Sequence, residues 1–271
     1  STAWLGDDSK LATRSLDELV TEMWAQLSRH RDAAEAMRAV RQIRRREQLR
    51  IALADTSGVA DVETTVAGLS DVDQATVMAA LHLARTEYER ENERSVPAEI
   101  LVVAMGRQGG REIGFGSDAD VMYAYEPAEG AEPQEAQEAA ERVLARMVKL
   151  LKQPCTPPIL AERILEIDND LRPEGRSGAK VRSVASYAEY YERWSETWER
   201  QALTRARYMA GSEEVAQAFF RVVDRYRYPA EFTDRQLVDI RRMKARVESE
   251  RMPRGADPTR QVKLGRGGLS D

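Results

Sequence analysis

The residues best suited to chemistry lie in one glycine-rich run, residues 106–120, with the sequence GRQGGREIGFGSDAD. The run contains five glycines, which is more than an ordinary turn needs. Glycine lets backbone N–H groups approach a ligand closely and adopt the positive φ angles that turn several donors toward one anion. Such a loop can hold a triphosphate, although glycine content alone also fits a purely structural loop.

Two aspartates end this run, and their spacing predicts a metal site. Asp118 and Asp120 stand at the start of an apolar segment that we expect to be a strand, so both side chains should project to the same side. Neighbouring carboxylates repel each other, and a divalent cation removes that conflict. Mg²⁺ prefers hard oxygen ligands and commonly binds one or two carboxylates together with substrate phosphates. A glycine-rich loop followed by this pair is a much stronger signal than an isolated Asp-x-Asp.

A further carboxylate is predicted by the alternating sequence ILEIDNDL. Glu166, Asp168 and Asp170 should line one face of a strand, while the apolar residues line the other. Taken alone, this pattern of acids indicates a solvent-exposed strand face. Taken with the two preceding aspartates, it favours the hypothesis of a metal site. Arg172 and Arg176 follow closely, and their guanidinium groups are suited to phosphate oxygens.

Three carboxylates beside a glycine-rich loop suit in-line phosphoryl or nucleotidyl transfer, in which metal ions align the attacking and leaving oxygens and neutralise developing charge. The sequence has no Walker lysine motif, which argues against a P-loop ATPase. It also lacks the signature motifs of protein kinases.

Helical periodicity dominates the first 95 residues. Apolar residues recur at intervals of three and four positions, and Ser15 with Glu18 forms a predicted capping box. Helices are predicted from Ser15 onward, at 32–54, at 61–69, and at 71–94 with Ser70 as a cap. The arginines at positions 41, 44, 45, 46 and 50 are typical of a solvent-exposed helix face.

The pattern then changes to short runs rich in β-branched residues. Strands are predicted at 99–104, 118–125, 160–171 and 181–184, and a helix at 134–151. From residue 185 the spacing is helical again, and its aromatic residues are typical of a packed stripe: Tyr187, Tyr190, Tyr191, Trp194 and Trp198. The predicted fold is therefore α+β and mostly helical. A small mixed-sheet core at 96–184 would stand between helical regions at 1–95 and 185–271.

Composition and charge exclude several classes of protein. The 271 residues are 42% hydrophobic and 32% charged, and no apolar run of about 18 residues could cross a membrane. The formal net charge of −5 argues against a chain whose main role is binding nucleic acid. Cys155, His30 and His82 offer neither an internal disulfide nor a zinc cluster. We expect a cytoplasmic protein and, because the chain starts without Met and ends in a glycine-rich segment, a part of a longer polypeptide.

Three motifs in order resemble the glutamine synthetase adenylyltransferase family, within the polymerase-beta type nucleotidyltransferase superfamily. They are residues 105–120, residues 166–173 and residues 263–271. The superfamily carries a Gly-Gly or Gly-Ser turn, a short spacer, Asp-x-Asp and a distant third Asp. In the family, one polypeptide holds two similar nucleotidyltransferase domains. One attaches AMP from ATP to a tyrosine of glutamine synthetase, and the other removes it by phosphorolysis.

The resemblance implies roles for individual residues. Asp118 and Asp120 would bind two Mg²⁺ ions, and Asp168 would complete the metal site and accept the tyrosine proton. The implied phosphate-binding residues are Gly109, Gly110, Gly116 and Ser117. Many members have Arg where this chain has Asp170, so the phosphate contact that this Arg makes in them is either missing here or supplied by Arg172 or Arg176. ATP is the implied substrate, glutamine synthetase the implied partner, and the PII signal protein a further one; no nucleic acid or membrane partner is implied.

Two features favour the adenylylating domain of actinobacterial members: the form Gly116-Ser117-Asp118 and the run DNDLRP at 168–173. The adenylyl-removing domain is the first alternative. A second is a non-catalytic domain that binds nucleotide or PII, against which the intact carboxylate triad argues. A third is a polymerase or tailing enzyme of the same superfamily, which predicts a basic groove that the net acidity does not favour.

Overall fold

The computed structural model describes residues 10–250 together with 252, 255, 257, 259 and 260; the predicted motif at 263–271 lies outside the described residues. The described residues form the predicted α+β fold. The helices are α1 (Leu16–Leu27), α2 (Ala33–Thr56), α3 (Val62–Asn92), α4 (Gly106–Gly109), α5 (Pro133–Lys152), α6 (Val184–Arg193), α7 (Thr197–Ala202), α8 (Glu213–Arg227) and α9 (Asp234–Glu250). The strands are β1 (Ala98–Ala104), β2 (Ala119–Pro127), β3 (Ile167–Asp168), β4 (Arg182–Ser183) and β5 (Arg207–Gly211). None of the described helices combines the length and apolar character needed to span a bilayer.

The sheet is mixed and has the order β3-β2-β1-β5, with β4 also pairing with β2. β1 is antiparallel to β2 and to β5, whereas β3 and β4 run parallel to β2. The sequence pattern did not predict β5, because its five residues lie inside a region of helical spacing and pair with a strand about 100 positions earlier.

The long strand predicted at 160–171 is wrong, since only Ile167 and Asp168 pair with the sheet. Leu160 is 83% exposed and Ile164 37%, so the apolar residues at the start of this run do not find a core. The segment is a loop whose backbone is held by side chains of α2. Arg44 Nη1 donates to the carbonyl of Arg163 at 2.6 Å, and Arg38 Nε donates to that of Pro157 at 2.8 Å.

Capping residues determine where the first two helices begin. Ser15 accepts at Oγ from the backbone N–H of Glu18, and Glu18 Oε2 accepts from the Ser15 N–H at 2.8 Å, which confirms the capping box. Asp32 caps α2 by accepting at Oδ1 from the backbone N–H groups of Ala34 and Glu35. The predicted break at Ser70 is wrong, because α3 runs through it without interruption. The buried Ser70 hydroxyl donates to the Val66 carbonyl one turn earlier, so this serine is accommodated within the helix and does not cap a new one.

Two hydrophobic clusters cover the two faces of the sheet. The first joins α1, α2, α3 and α5 to residues such as Ile100 and Val102 of β1. The second joins α6 and α8 to the alternate residues Leu101 and Val103. This alternation is what a strand buried on both faces requires. The chain is thus layered helix, sheet, helix, with the sheet in the middle.

The aromatic stripe packs only in part. Tyr187 and Tyr191 are buried and stack with ring centroids 6.2 Å apart, as predicted. Trp194 is 71% exposed, so the stripe ends before the end of α6.

The solvent-exposed arginine face predicted for α2 is wrong: Arg41 and Arg44 are each 3% exposed, and the other three arginines are partly buried. Both are buried because each meets an acid from a distant segment: Arg41 pairs with Glu162, and Arg44 with Asp73, both at 2.6 Å.

Candidate active site

Strand register brings two of the predicted site residues together. β2 and β3 run parallel, and Asp120 is the register partner of Asp168. Paired residues of neighbouring strands project to the same side of a sheet, so these two carboxylates leave the sheet side by side. The backbone N–H of Ala119 donates to the Glu166 carbonyl at 2.9 Å, which fixes the point where β3 meets β2.

Asp118 completes the cluster from the residue just before β2. Asp118, Asp120 and Asp168 each offer a carboxylate oxygen, and these oxygens all lie within 4.8 Å of one another. Asp118 is exposed and the other two are partly buried. The structure therefore assembles the predicted triad from residues that are up to 50 positions apart.

The donor set of this triad fits a magnesium ion. Three carboxylate oxygens are hard ligands with the spacing that a divalent cation can bridge. Among the described residues, neither Asp118 nor Asp168 forms an ion pair with an arginine or lysine, although Arg176 attracts Asp168 at longer range. The backbone N–H of Asp170 donates to Asp168 Oδ1 at 2.8 Å and helps to orient that carboxylate.

The cleft in front of the triad is open and acidic. It has a volume of about 370 Å³, and the acids that line it are Asp118, Glu166, Asp168 and Asp170. Glu166 forms an ion pair with Lys152, and Asp170 Oδ2 accepts from Arg176 Nε at 2.6 Å. Hence the flanking acids form ion pairs with protein cations, whereas Asp168 between them has no such pair among the described residues. Larger cavities lie elsewhere, such as one of about 710 Å³ beside α7 and α9, but no comparable carboxylate cluster converges there among the described residues.

The glycine-rich run wraps closely around the triad. Gly106 has φ +51° at the start of α4, and a Cβ built on it would overlap Oδ2 of Asp120 and stand 3.1 Å from its Cγ. Glycine is thus required at this position both for its backbone angle and for the space that Asp120 occupies. Gly106 was part of the predicted loop but was not singled out among its glycines.

The predicted phosphate-binding glycines fall into two groups. Gly109 is buried, and a Cβ there would collide with the Arg205 carbonyl, so this glycine is needed for packing. Gly110 is exposed at the end of α4. Gly116 has φ +70°, and Ser117 Oγ accepts from the Gly114 N–H at 3.1 Å, which closes a tight loop directly before Asp118. The two residues next to the triad are therefore Gly116 and Ser117.

The two predicted arginines differ in what they can reach. Arg172 is 6% exposed, and its Nε, Nη1 and Nη2 all donate to backbone carbonyls of its own loop. Its guanidinium shapes the loop that follows β3. Arg176 is exposed at the rim of the cleft, where its hydrogen bond to Asp170 raises the pKa of the guanidinium.

Arg163 was not identified from the sequence, and the structure places it against the loop that leads into the triad. Its Nη2 donates to the Gly116 carbonyl at 2.6 Å. No motif marks this residue, because it lies in the loop that sequence patterning assigned to a strand.

Comparison with known proteins adds an independent observation. Residues 3–222 match the family model described as glutamate-ammonia ligase adenylyltransferase. Three similar proteins carry the name bifunctional glutamine synthetase adenylyltransferase/adenylyl-removing enzyme. They come from Streptomyces avermitilis (43% identical, 100% of this chain, 28% of the relative), Bifidobacterium longum subsp. infantis (44%, 100%, 25%) and Mycobacterium tuberculosis (46%, 91%, 24%). The chain thus spans about a quarter of the length of these relatives.

Proposed function

The chain belongs to the glutamate-ammonia ligase adenylyltransferase family, and from this premise we propose that it transfers AMP from ATP to a tyrosine hydroxyl of glutamine synthetase. The observation that carries the proposal is the convergence of Asp118, Asp120 and Asp168 in an open cleft at the sheet edge. The family match confirms the resemblance seen in the sequence. The names of the relatives support glutamine synthetase as the proposed substrate.

In the proposed reaction, the tyrosine oxygen attacks the α-phosphorus of ATP. A new bond forms between that oxygen and phosphorus, the bond to the bridging oxygen of the β-phosphate breaks, and pyrophosphate leaves. Asp168 accepts the tyrosine proton, while the Gly116–Ser117 loop holds the phosphates. We propose that two Mg²⁺ ions would be held by Asp118, Asp120 and Asp168. Magnesium bound there would neutralise the charge that develops on the phosphate oxygens. Because the reaction consumes ATP, we propose that it takes place in the cytoplasm.

The adenylyl-removing reaction is the second candidate, because the relatives' names contain both activities and this chain matches only about a quarter of their length. The forms Gly116-Ser117-Asp118 and DNDLRP favour adenylylation. A domain that only senses nucleotide, or that only binds the PII signal protein, would have no need for three converging carboxylates.

The proposal is tested by Mg²⁺-dependent transfer of label from α-labelled ATP to purified glutamine synthetase. Asp118→Asn/Asp120→Asn should abolish transfer. The matched control is Glu138→Gln/Glu141→Gln, which removes two charges from exposed positions of α5 and should leave transfer unchanged. If the wild-type chain instead strips AMP from modified synthetase when phosphate is supplied, the removing activity is the correct one. Binding of MgATP with neither activity would support the sensing alternative.

A further inference from the structure

Arg163 lies against the loop that leads into the triad. Its Nη2 donates to the Gly116 carbonyl at 2.6 Å, and a Cβ built on Gly116 would overlap the Arg163 guanidinium. Gly116 therefore leaves a space that this guanidinium occupies. The side chain is exposed, and among the described residues it forms no ion pair with a carboxylate.

Several other cations near the loop and the cleft are matched by acids. Lys152 pairs with Glu166 and Arg176 with Asp170, and two more guanidinium groups form ion pairs at 2.6 to 2.7 Å: Arg111 with Asp71 and Arg205 with Glu112. Arg107 of α4 is a second guanidinium in the glycine-rich run without a described carboxylate partner, so it is a competing candidate.

The backbone at Arg163 is held firmly even though its side chain is exposed. Arg44, buried in α2, donates from Nη1 to the Arg163 carbonyl at 2.6 Å and from Nε to Asp73 at 2.6 Å. Arg41 holds the neighbouring Glu162 through two hydrogen bonds of 2.6 and 2.9 Å. A guanidinium on a fixed backbone loses less freedom when it binds a ligand, which favours recognition of an anion.

We propose that Arg163 binds the β- and γ-phosphates of ATP at this site, an inference that rests on the proposed function. The proposed function places the α-phosphorus at the triad and the remaining phosphates on the Gly116–Ser117 loop, on which the Arg163 guanidinium lies. A guanidinium can donate to two phosphate oxygens at once, and Arg163 would bring positive charge to the loop that leads into the acidic triad.

The test measures nucleotide affinity by calorimetry, without glutamine synthetase, using Mg²⁺ with α,β-methylene-ATP and, separately, AMP. Arg163→Gln should weaken binding of the triphosphate by about tenfold to a hundredfold, as expected for a hydrogen bond between charged groups. It should leave the affinity for AMP unchanged, because AMP lacks the β- and γ-phosphates. Arg163→Lys should restore part of the loss by keeping the charge. Arg193→Gln, on the exposed end of α6, is the matched control and should change neither affinity.

Gly116→Ala supplies a second test, because its methyl group would displace the Arg163 guanidinium. The double variant Gly116→Ala/Arg163→Gln should therefore lose no more triphosphate affinity than Arg163→Gln alone. An equal loss of triphosphate and AMP affinity would mean that Arg163 only fixes the loop, and would overturn the inference. So would unchanged affinity, or a selective loss seen in Arg107→Gln and not in Arg163→Gln.

These outcomes remain separate from the fate of the proposed function. If Arg163→Gln loses triphosphate affinity selectively while the wild-type chain transfers no AMP, the phosphate contact stands and the proposed transfer fails. A wild-type chain that binds no triphosphate in the presence of Mg²⁺ would refute both.

Discussion

Gly106→Ala should damage the proposed metal site without replacing any of its ligands. The methyl group would overlap Oδ2 of Asp120 and stand 3.1 Å from its Cγ, whereas nonbonded carbon atoms are most stable about 3.5 to 4.0 Å apart. The carboxylate must therefore move by on the order of 1 Å. A displacement of that size in a reacting group can lower the rate about 100-fold. The positive φ of +51° adds roughly 1–2 kcal/mol of backbone strain, since an alanine is poorly accommodated there.

The matched control is Gly58→Ala, between α2 and α3. Gly58 has φ +73°, and a Cβ built on it meets no heavy atom of the described residues within 4 Å. It should show the backbone strain alone, roughly 1–2 kcal/mol of stability, and keep full activity. Urea unfolding gives the stability of each variant, and Mn²⁺ titration followed by electron paramagnetic resonance gives the affinity of the carboxylate site. If Gly106→Ala bound Mn²⁺ and transferred AMP as well as Gly58→Ala does, the packing of Gly106 on Asp120 would have no role at the site.

Three further predictions concern stability. Arg44→Met should lower the free energy of unfolding in urea by about 3–5 kcal/mol, because it leaves Asp73 buried without its cation. The double variant Arg44→Met/Asp73→Leu should recover most of that loss. A single variant as stable as the wild type would contradict the burial of this pair. Hydrogen bonds from Arg46 are the main cause that lowers the pKa of Glu22 from 4.5 to about 2. The ionised Glu22 therefore stabilises the folded protein fully above pH 4.5, and this contribution is lost as the pH falls toward 2. Glu22→Gln should flatten that part of the stability curve by about 1–2 kcal/mol after solvent screening, and an unchanged curve would count against the pair. Tyr187→Phe should lower the free energy of unfolding by about 1–2 kcal/mol, since the buried hydroxyl donates at 2.9 Å to a main-chain carbonyl of β2, and a thermal melt equal to that of the wild type would refute this contribution.

Features with a local physical cause were predictable from the sequence. The Ser15 capping box needs residues only three positions apart. The strand at 99–104 is a short apolar run rich in β-branched residues, and β1 covers it. The convergence of Asp118 and Asp120 follows from the two-residue repeat of a strand, and the structure places their oxygens near Asp168 as the alternating sequence suggested.

Features with a distant cause were not predictable in the same way. From the sequence alone, Arg44 is predicted to lie on a polar, exposed helix face. The fold buries it because its partners, Asp73 and the carbonyl of Arg163, come from 29 and 119 positions away. The strand β5 exists because β1 offers a free edge, which no pattern near residue 207 reveals. Residues 160–166 were predicted as part of a strand, yet the Arg163 carbonyl accepts from Arg44 of α2, and pairing with β2 begins only where the Glu166 carbonyl accepts from Ala119.

The N-terminal helices consequently do more for the site than cover one face of the sheet. Arg41 and Arg44 of α2 hold the loop that carries Arg163 and leads into β3, so the position of Asp168 depends on a helix more than 100 residues earlier. The face of β1 that carries Ile100 and Val102 is buried in the same hydrophobic cluster as α1, α2 and α3. A chain beginning at residue 96 would lose both supports at once. We therefore expect such a chain to fail to bind Mn²⁺ even with its three aspartates intact, whereas retained binding would show that the sheet alone can position them.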